Sequence, residues 1–91
     1  MRTLHLAVKK IYFDAIQSGA KVQEFRLCTP YWEKRLAGRE YDDIVITCGY
    51  PAKDDAERRL MRAWRGYERI AITHPHFGPD EVKVFAIHLG E

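Results

Sequence analysis

The sequence predicts a small α+β domain, a mixed β-barrel of about five strands carrying two or three short helices. Three observations predict it. Apolar residues alternate along several short segments, as half-buried strands require. Stretches of helical period, with recognisable start and stop residues, interrupt those segments. The resulting order is βαβαβαββ, with most strands apolar on one face only, which suits a mixed barrel better than an open doubly wound sheet. The chain has 91 residues, room for one hydrophobic core and not for two.

The first strand runs from Thr3 to Val8, with Leu4, Leu6 and Val8 on one face and Thr3, His5 and Ala7 on the other. From Lys9 the period becomes helical: Tyr12, Ala15 and Ile16 share a face with Ile11 at its margin, and Gly19 supplies a left-handed stop. Lys21 to Cys28 reads as the second strand, in which Gln23, Phe25 and Leu27 oppose Val22, Glu24, Arg26 and Cys28. Thr29 and Pro30 start a second helix, because Thr caps free amides and Pro suits the first helical position; Gly38 closes it.

Asp43 to Cys48 is the third strand, broken by Gly49-Tyr50-Pro51. Asp54 or Asp55 then caps a third helix extending to about Arg65 and stopped by Gly66. Glu68 to Thr73 and Val82 to Leu89 read as the last two strands, on either side of the turn-rich segment His74 to Asp80. No repeat or low-complexity tract divides the chain, so residues 1–91 form one domain.

A composition of 46% hydrophobic and 31% charged residues is that of a folding chain, not a disordered one. The net charge of +2 is too small for binding nucleic acid by bulk charge, so any such contact needs a local patch. Cys28 and Cys48, without a second pair, suit neither a disulfide framework nor a four-ligand zinc site and read as reduced core thiols. No apolar run approaches the roughly 20 residues that span a bilayer, and MRTLHLAVKK lacks a signal-peptide core. A cytoplasmic protein without a membrane partner is the expectation. Phosphate-binding loops, Gly-x-Ser-x-Gly elbows, His-Glu-x-x-His and dinucleotide-binding glycine patterns are absent, and no cofactor or metal is predicted.

The most informative stretch is Gly19 to Arg26. Gly19 turns the backbone sharply and brings Lys21 to the mouth of the following strand. Glu24 and Arg26, two apart on that strand, share a face roughly 7 Å apart at the backbone and can pair. Inside a barrel, two such charges cost several kcal/mol per ion unless they pair or meet a polar ligand. A lysine beside them either has its pKa lowered enough to serve as a base or stays charged and holds a phosphate. The alternative is an exposed strand face with surface ion pairs worth under about 1 kcal/mol.

Gly19, Lys21, Glu24 and Arg26 match each fixed position of Gly-x-Lys-x-x-Glu-x-Arg, and on these residues the chain resembles the ASCH domain family of PUA-like β-barrels. The order of strands and helices resembles that family over nearly the whole chain, and the Gly49 to Pro51 break is like that of short phage and bacterial members. The resemblance implies association with RNA. It also implies the activities of some members, which remove the acyl group from N4-acylated cytidine or cleave RNA. In the small amidohydrolases the motif lysine works with a threonine three positions later and a more distant glutamate; here that position is Glu24, which has no hydroxyl.

Three further features are candidates. Arg58, Arg62 and Arg65 fall on one face of the predicted third helix and can track a phosphate backbone, with Trp64 or Tyr67 stacking on a base; the alternative is a solvated helix anchored by Leu60 and Trp64. His74 and His76 flank Pro75 in a loop and are either acid–base groups near neutral pH or parts of a plain turn. Tyr50, before a proline at a strand end, sits at a rim where a phenol can meet a base; Tyr31 and Trp32, at the start of the second helix, can border the same mouth, with core packing the leading role for Trp32.

The leading expectation is a domain that binds RNA, a nucleotide or a modified nucleoside. Lys21 and Arg26 contact the ligand, Glu24 orients them, and Tyr50, Arg62, Arg65, Tyr67, His74 and His76 extend the surface. The alternative is a small hydrolase, N4-acylcytidine amidohydrolase-like or a ribonuclease, with Lys21 and Glu24 as its catalytic pair. A third possibility is a regulator that docks on a partner protein and uses the barrel as scaffold.

Overall fold

The computed structural model describes residues 2–90. In chain order these form β1 (Thr3–Val8), α1 (Lys10–Ser18), β2 (Gln23–Leu27), α2 (Pro30–Leu36), β3 (Asp43–Cys48), β4 (Arg59–Ala63), β5 (Tyr67–Ile72) and β6 (Val82–His88), with single 3-10 turns at Ala56–Arg58 and Pro75–Phe77. The strands make two open three-stranded sheets, ordered β1-β3-β4 and β2-β6-β5. The first contains one parallel pair, β1 with β3, in which Leu4 lies opposite Ile44 and Leu6 opposite Ile46. All other pairs are antiparallel.

The architecture is α+β, as expected, but neither sheet closes into a barrel. The chain crosses between the sheets three times, and the hydrogen-bond ladder stays open at two seams. One is at the β4–β5 turn, where Gly66 takes a left-handed φ of 81°. The other lies between β1 and β2, which α1 separates. Both β1 and β2 are therefore edge strands.

A single core lies between the elements. Leu4, Leu6 and Val8 of β1, Ile44 and Ile46 of β3, and Phe85 and Ile87 of β6 meet Phe13 and Ile16 of α1 and Leu36 of α2. Sequence periodicity placed Tyr12, Ala15 and Ile16 on the inner face of α1. The buried pair is instead Phe13 and Ile16, three apart, while Ile11 is exposed. Both helix stops and starts follow their local chemistry. The Gly19 N–H donates to the Ile16 carbonyl with φ 86°, and the Thr29 hydroxyl accepts from the Trp32 N–H at 3.4 Å. Thr29→Ala is expected to cost about 1 kcal/mol, read as a lower urea midpoint; an unchanged midpoint would show that Pro30 alone sets the helix start.

The largest departure from the sequence reading lies between residues 54 and 65. The predicted third helix is one 3-10 turn followed by β4, which pairs antiparallel with β3 and sets Leu60 opposite Ile46 and Arg62 opposite Ile44. Arg, Leu, Met and Ala are good helix formers, but the open backbone edge of β3 supplies partners that propensity does not see. Arg58, Arg62 and Arg65 consequently share no helical face. Cys28 and Cys48 are free thiols, half-buried against the core. Among the described residues no helix is long and apolar enough to cross a membrane.

Candidate functional site

The open seam between the two edge strands forms a cleft of about 410 Å³, within the size range of small-ligand pockets. Its floor comes from the end of β1 (Ala7, Val8) and from β2, and its walls come from α1, α2 and the Pro75–Phe77 turn. Because β2 has a neighbour on one side only, side chains from both of its faces reach the cleft. Glu24 and Arg26 come from the core-facing side, in register with Ile87 and Phe85. Phe25 and Leu27 come from the other.

Lys21, Glu24 and Arg26 converge. Arg26 Nη2 donates to Glu24 Oε2 at 2.8 Å and to the Ala7 carbonyl at 2.8 Å. This single nitrogen thus bridges β2 to β1 across the seam that backbone hydrogen bonds leave open. Lys21 Nζ lies 3.5 Å from Glu24 Oε1, beyond ordinary hydrogen-bond length, and sits 5.0 Å from the Phe25 ring centroid and 5.4 Å from that of Tyr12. The Glu24 side chain is 10% exposed, and those of Lys21 and Arg26 are 18% and 21% exposed. That burial removes the surface-ion-pair reading of the motif.

The three charges have different uses. Glu24 is shared by two cations and holds both. Arg26 Nη2 is occupied by protein acceptors, the guanidinium stacks 5.0 Å from the Trp32 ring, and the buried Nε meets no acceptor among the described residues. Arg26 therefore builds the wall. Lys21, held more loosely and between two aromatic rings, is the cation placed to meet a ligand.

His74 and His76 also line the cleft. His74 Nδ1 accepts from the His76 N–H at 3.1 Å and so caps the Pro75–Phe77 turn. That contact ties the His74 ring to the turn it caps. His76 packs edge-on against Phe77 and Tyr12, so the turn lays a small aromatic roof beside Lys21.

The other predicted residues are not brought here. Tyr50 is 93% exposed and outside the cleft. Arg62 donates to the Ile16 and Met61 carbonyls, and its neighbours Arg58 and Arg59 hold the carbonyls of Cys48, Pro51, Ala52 and Asp55. Arg59 fastens the loop after β3, Arg58 the end of β3, and Arg62 ties β4 to α1. Tyr67 packs edge-on against Phe85, and Arg65, exposed, lies beyond the cleft lining. Sequence reasoning missed Tyr12, Phe25 and Phe77. Periodicity places Tyr12 only on a helical face shared with Ala15 and Ile16 and Phe25 on the strand face opposite Glu24 and Arg26, and Phe77 carries no local signal. Trp32, expected in the core, forms a cleft wall. Among the described residues no three His, Cys, Asp or Glu side chains gather as a metal site requires.

Comparison of the chain with protein-family models, with curated proteins and with solved structures finds no match in any of the three.

Proposed function

We propose that this chain is an ASCH-type domain that binds RNA or a modified nucleoside in the cleft around Lys21. One observation carries the reading: a cation with incomplete protein pairing stands among aromatic rings in a pocket of ligand size. Rings offer stacking to a base, and the ammonium offers charge to a phosphate or a polar base edge. With Lys9, Lys21 and Arg26 against Glu24, the lining carries a positive excess, which favours an anionic ligand. The match of Gly19, Lys21, Glu24 and Arg26 to the family motif supports the same reading.

Lys21→Ala is expected to weaken binding of single-stranded RNA or of a nucleotide at least about tenfold, the effect of losing one charge-assisted contact. Titration at two ionic strengths separates the ligands. A strand held through several phosphates loses affinity steeply with salt, whereas a nucleoside held in the pocket does not. Absence of binding by RNA, nucleotides and nucleosides alike at low salt would reject the proposal.

A second reading, a small hydrolase acting on an N4-acylcytidine or on RNA, draws on the nearness of Lys21 Nζ to the Glu24 carboxylate. In that case the same Lys21→Ala protein would bind but release no cytidine and cut no RNA, and wild-type protein lacking both activities would remove the reading.

A further inference from the structure

At the outer rim of the cleft the first turn of α2 presents Tyr31, which is 56% exposed although it lines the cavity. Its ring is not loose. The Arg35 guanidinium carbon stands 3.5 Å from the ring centroid, one helical turn further on, and Arg35 Nη1 donates to the Tyr31 carbonyl at 3.2 Å. On its inner side Tyr31 meets Trp32 edge-to-face at 5.1 Å, and Trp32 in turn carries Arg26. Two rings therefore stand between two cations in a row, Arg35, Tyr31, Trp32, Arg26, from solvent to the interior. Trp32 and Arg26 form the wall of the pocket, Tyr31 stands at its rim, and Arg35 lies outside the lining. Aromatic rings and guanidinium planes are the two side-chain surfaces on which unpaired bases stack.

We propose that Tyr31 and Arg35 form a second stacking position, so that the ligand is a single strand of at least two nucleotides: one base enters the cleft beside Lys21 and its neighbour stacks at the rim. This rests on the nucleic-acid reading above and narrows it from a free nucleoside to a strand. An ordinary i,i+4 ring–guanidinium pair on a helix would hold the same two residues together for stability alone. The two roles differ in what the ring contributes to strands of different length.

The test compares cytidine 5′-monophosphate with a single-stranded cytidine pentaribonucleotide, titrated against wild-type, Tyr31→Ala, Tyr31→Phe and Lys21→Ala proteins whose melting curves confirm folding. Wild-type protein is expected to bind the pentamer at least about tenfold more tightly than the monophosphate. Tyr31→Ala is expected to lose about tenfold toward the pentamer, the effect of one stacked base, and a clearly smaller factor toward the monophosphate, whose base sits beside Lys21; Tyr31→Phe keeps both. Equal affinity of wild type for the two ligands, equal losses toward both in Tyr31→Ala, or an unaltered pentamer affinity would overturn the rim position while leaving the Lys21 pocket standing. Binding of neither ligand by wild type would remove the pocket reading itself, and the rim position with it.

Discussion

Glu24→Ala is expected to destabilise the protein by about 3 kcal/mol, because it removes the common counter-charge of two partly buried cations. Glu24 is the one buried charged residue among the described residues, and its two oxygens face Arg26 Nη2 at 2.8 Å and Lys21 Nζ at 3.5 Å. Without it, an ammonium and a guanidinium share a wall with no compensating anion. For a chain of this size the loss corresponds to a melting point lower by roughly 12 to 24 °C. Glu24→Gln keeps an acceptor for Arg26 but not the charge, and should fall between Ala and wild type. Adding Lys21→Met to Glu24→Ala should recover part of the loss by relieving the repulsion. A loss below about 1 kcal/mol for Glu24→Ala, the worth of a surface pair, would show that water screens the cluster and that the cleft is wetter than its geometry implies.

Phe85→Ala should cost still more, about 4 kcal/mol. Phe85 is completely buried on β6, the middle strand of its sheet, in register with Arg26 on β2 and Arg69 on β5. The Tyr67 ring meets it edge-on at 5.0 Å and the Arg69 guanidinium carbon lies 4.6 Å from its centroid. Deleting the ring leaves a cavity behind the cleft wall as well as the transfer loss, so the damage reaches both core and site. Phe85→Leu, which refills most of the volume, should cost less than half as much. Urea unfolding of the three proteins measures this directly, and an Ala variant within about 1 kcal/mol of wild type would mean that the two sheets close over the void.

Where local chemistry decides an element, the sequence was sufficient. β1 and β3 have the bounds that alternation assigns, Gly19 stops α1 and Thr29 caps α2. Where pairing over distance decides, it was not. Arg59 to Ala63 consists of helix formers without clean apolar alternation, and the edge of β3 selects the strand. The same limit turned two open sheets into an expected barrel. In the cleft, the charged motif and the two loop histidines were legible because each has its own spacing or turn chemistry. Tyr12, Phe25 and Phe77 were not, because nothing in their local sequence distinguishes a ring facing a cavity from a ring facing a core. Arg58, Arg59 and Arg62 misled in the opposite direction: guanidiniums that satisfy backbone carbonyls look, in sequence, like guanidiniums that await a phosphate.

The parallel ladder between β1 and β3 joins Thr3 to Asp43, forty positions later, and the segment holding Lys21, Glu24 and Arg26 lies inside the loop it closes. The cleft also needs the Pro75–Phe77 turn from far down the chain. Closing such loops costs entropy before any cleft contact can offset it, so no fragment or half-folded chain carries a partial site. Binding competence and global folding are then one equilibrium. A ligand present at a hundred times its dissociation constant would raise the unfolding free energy by about 2.7 kcal/mol, and a melting curve becomes an assay for candidate ligands that requires no knowledge of any reaction.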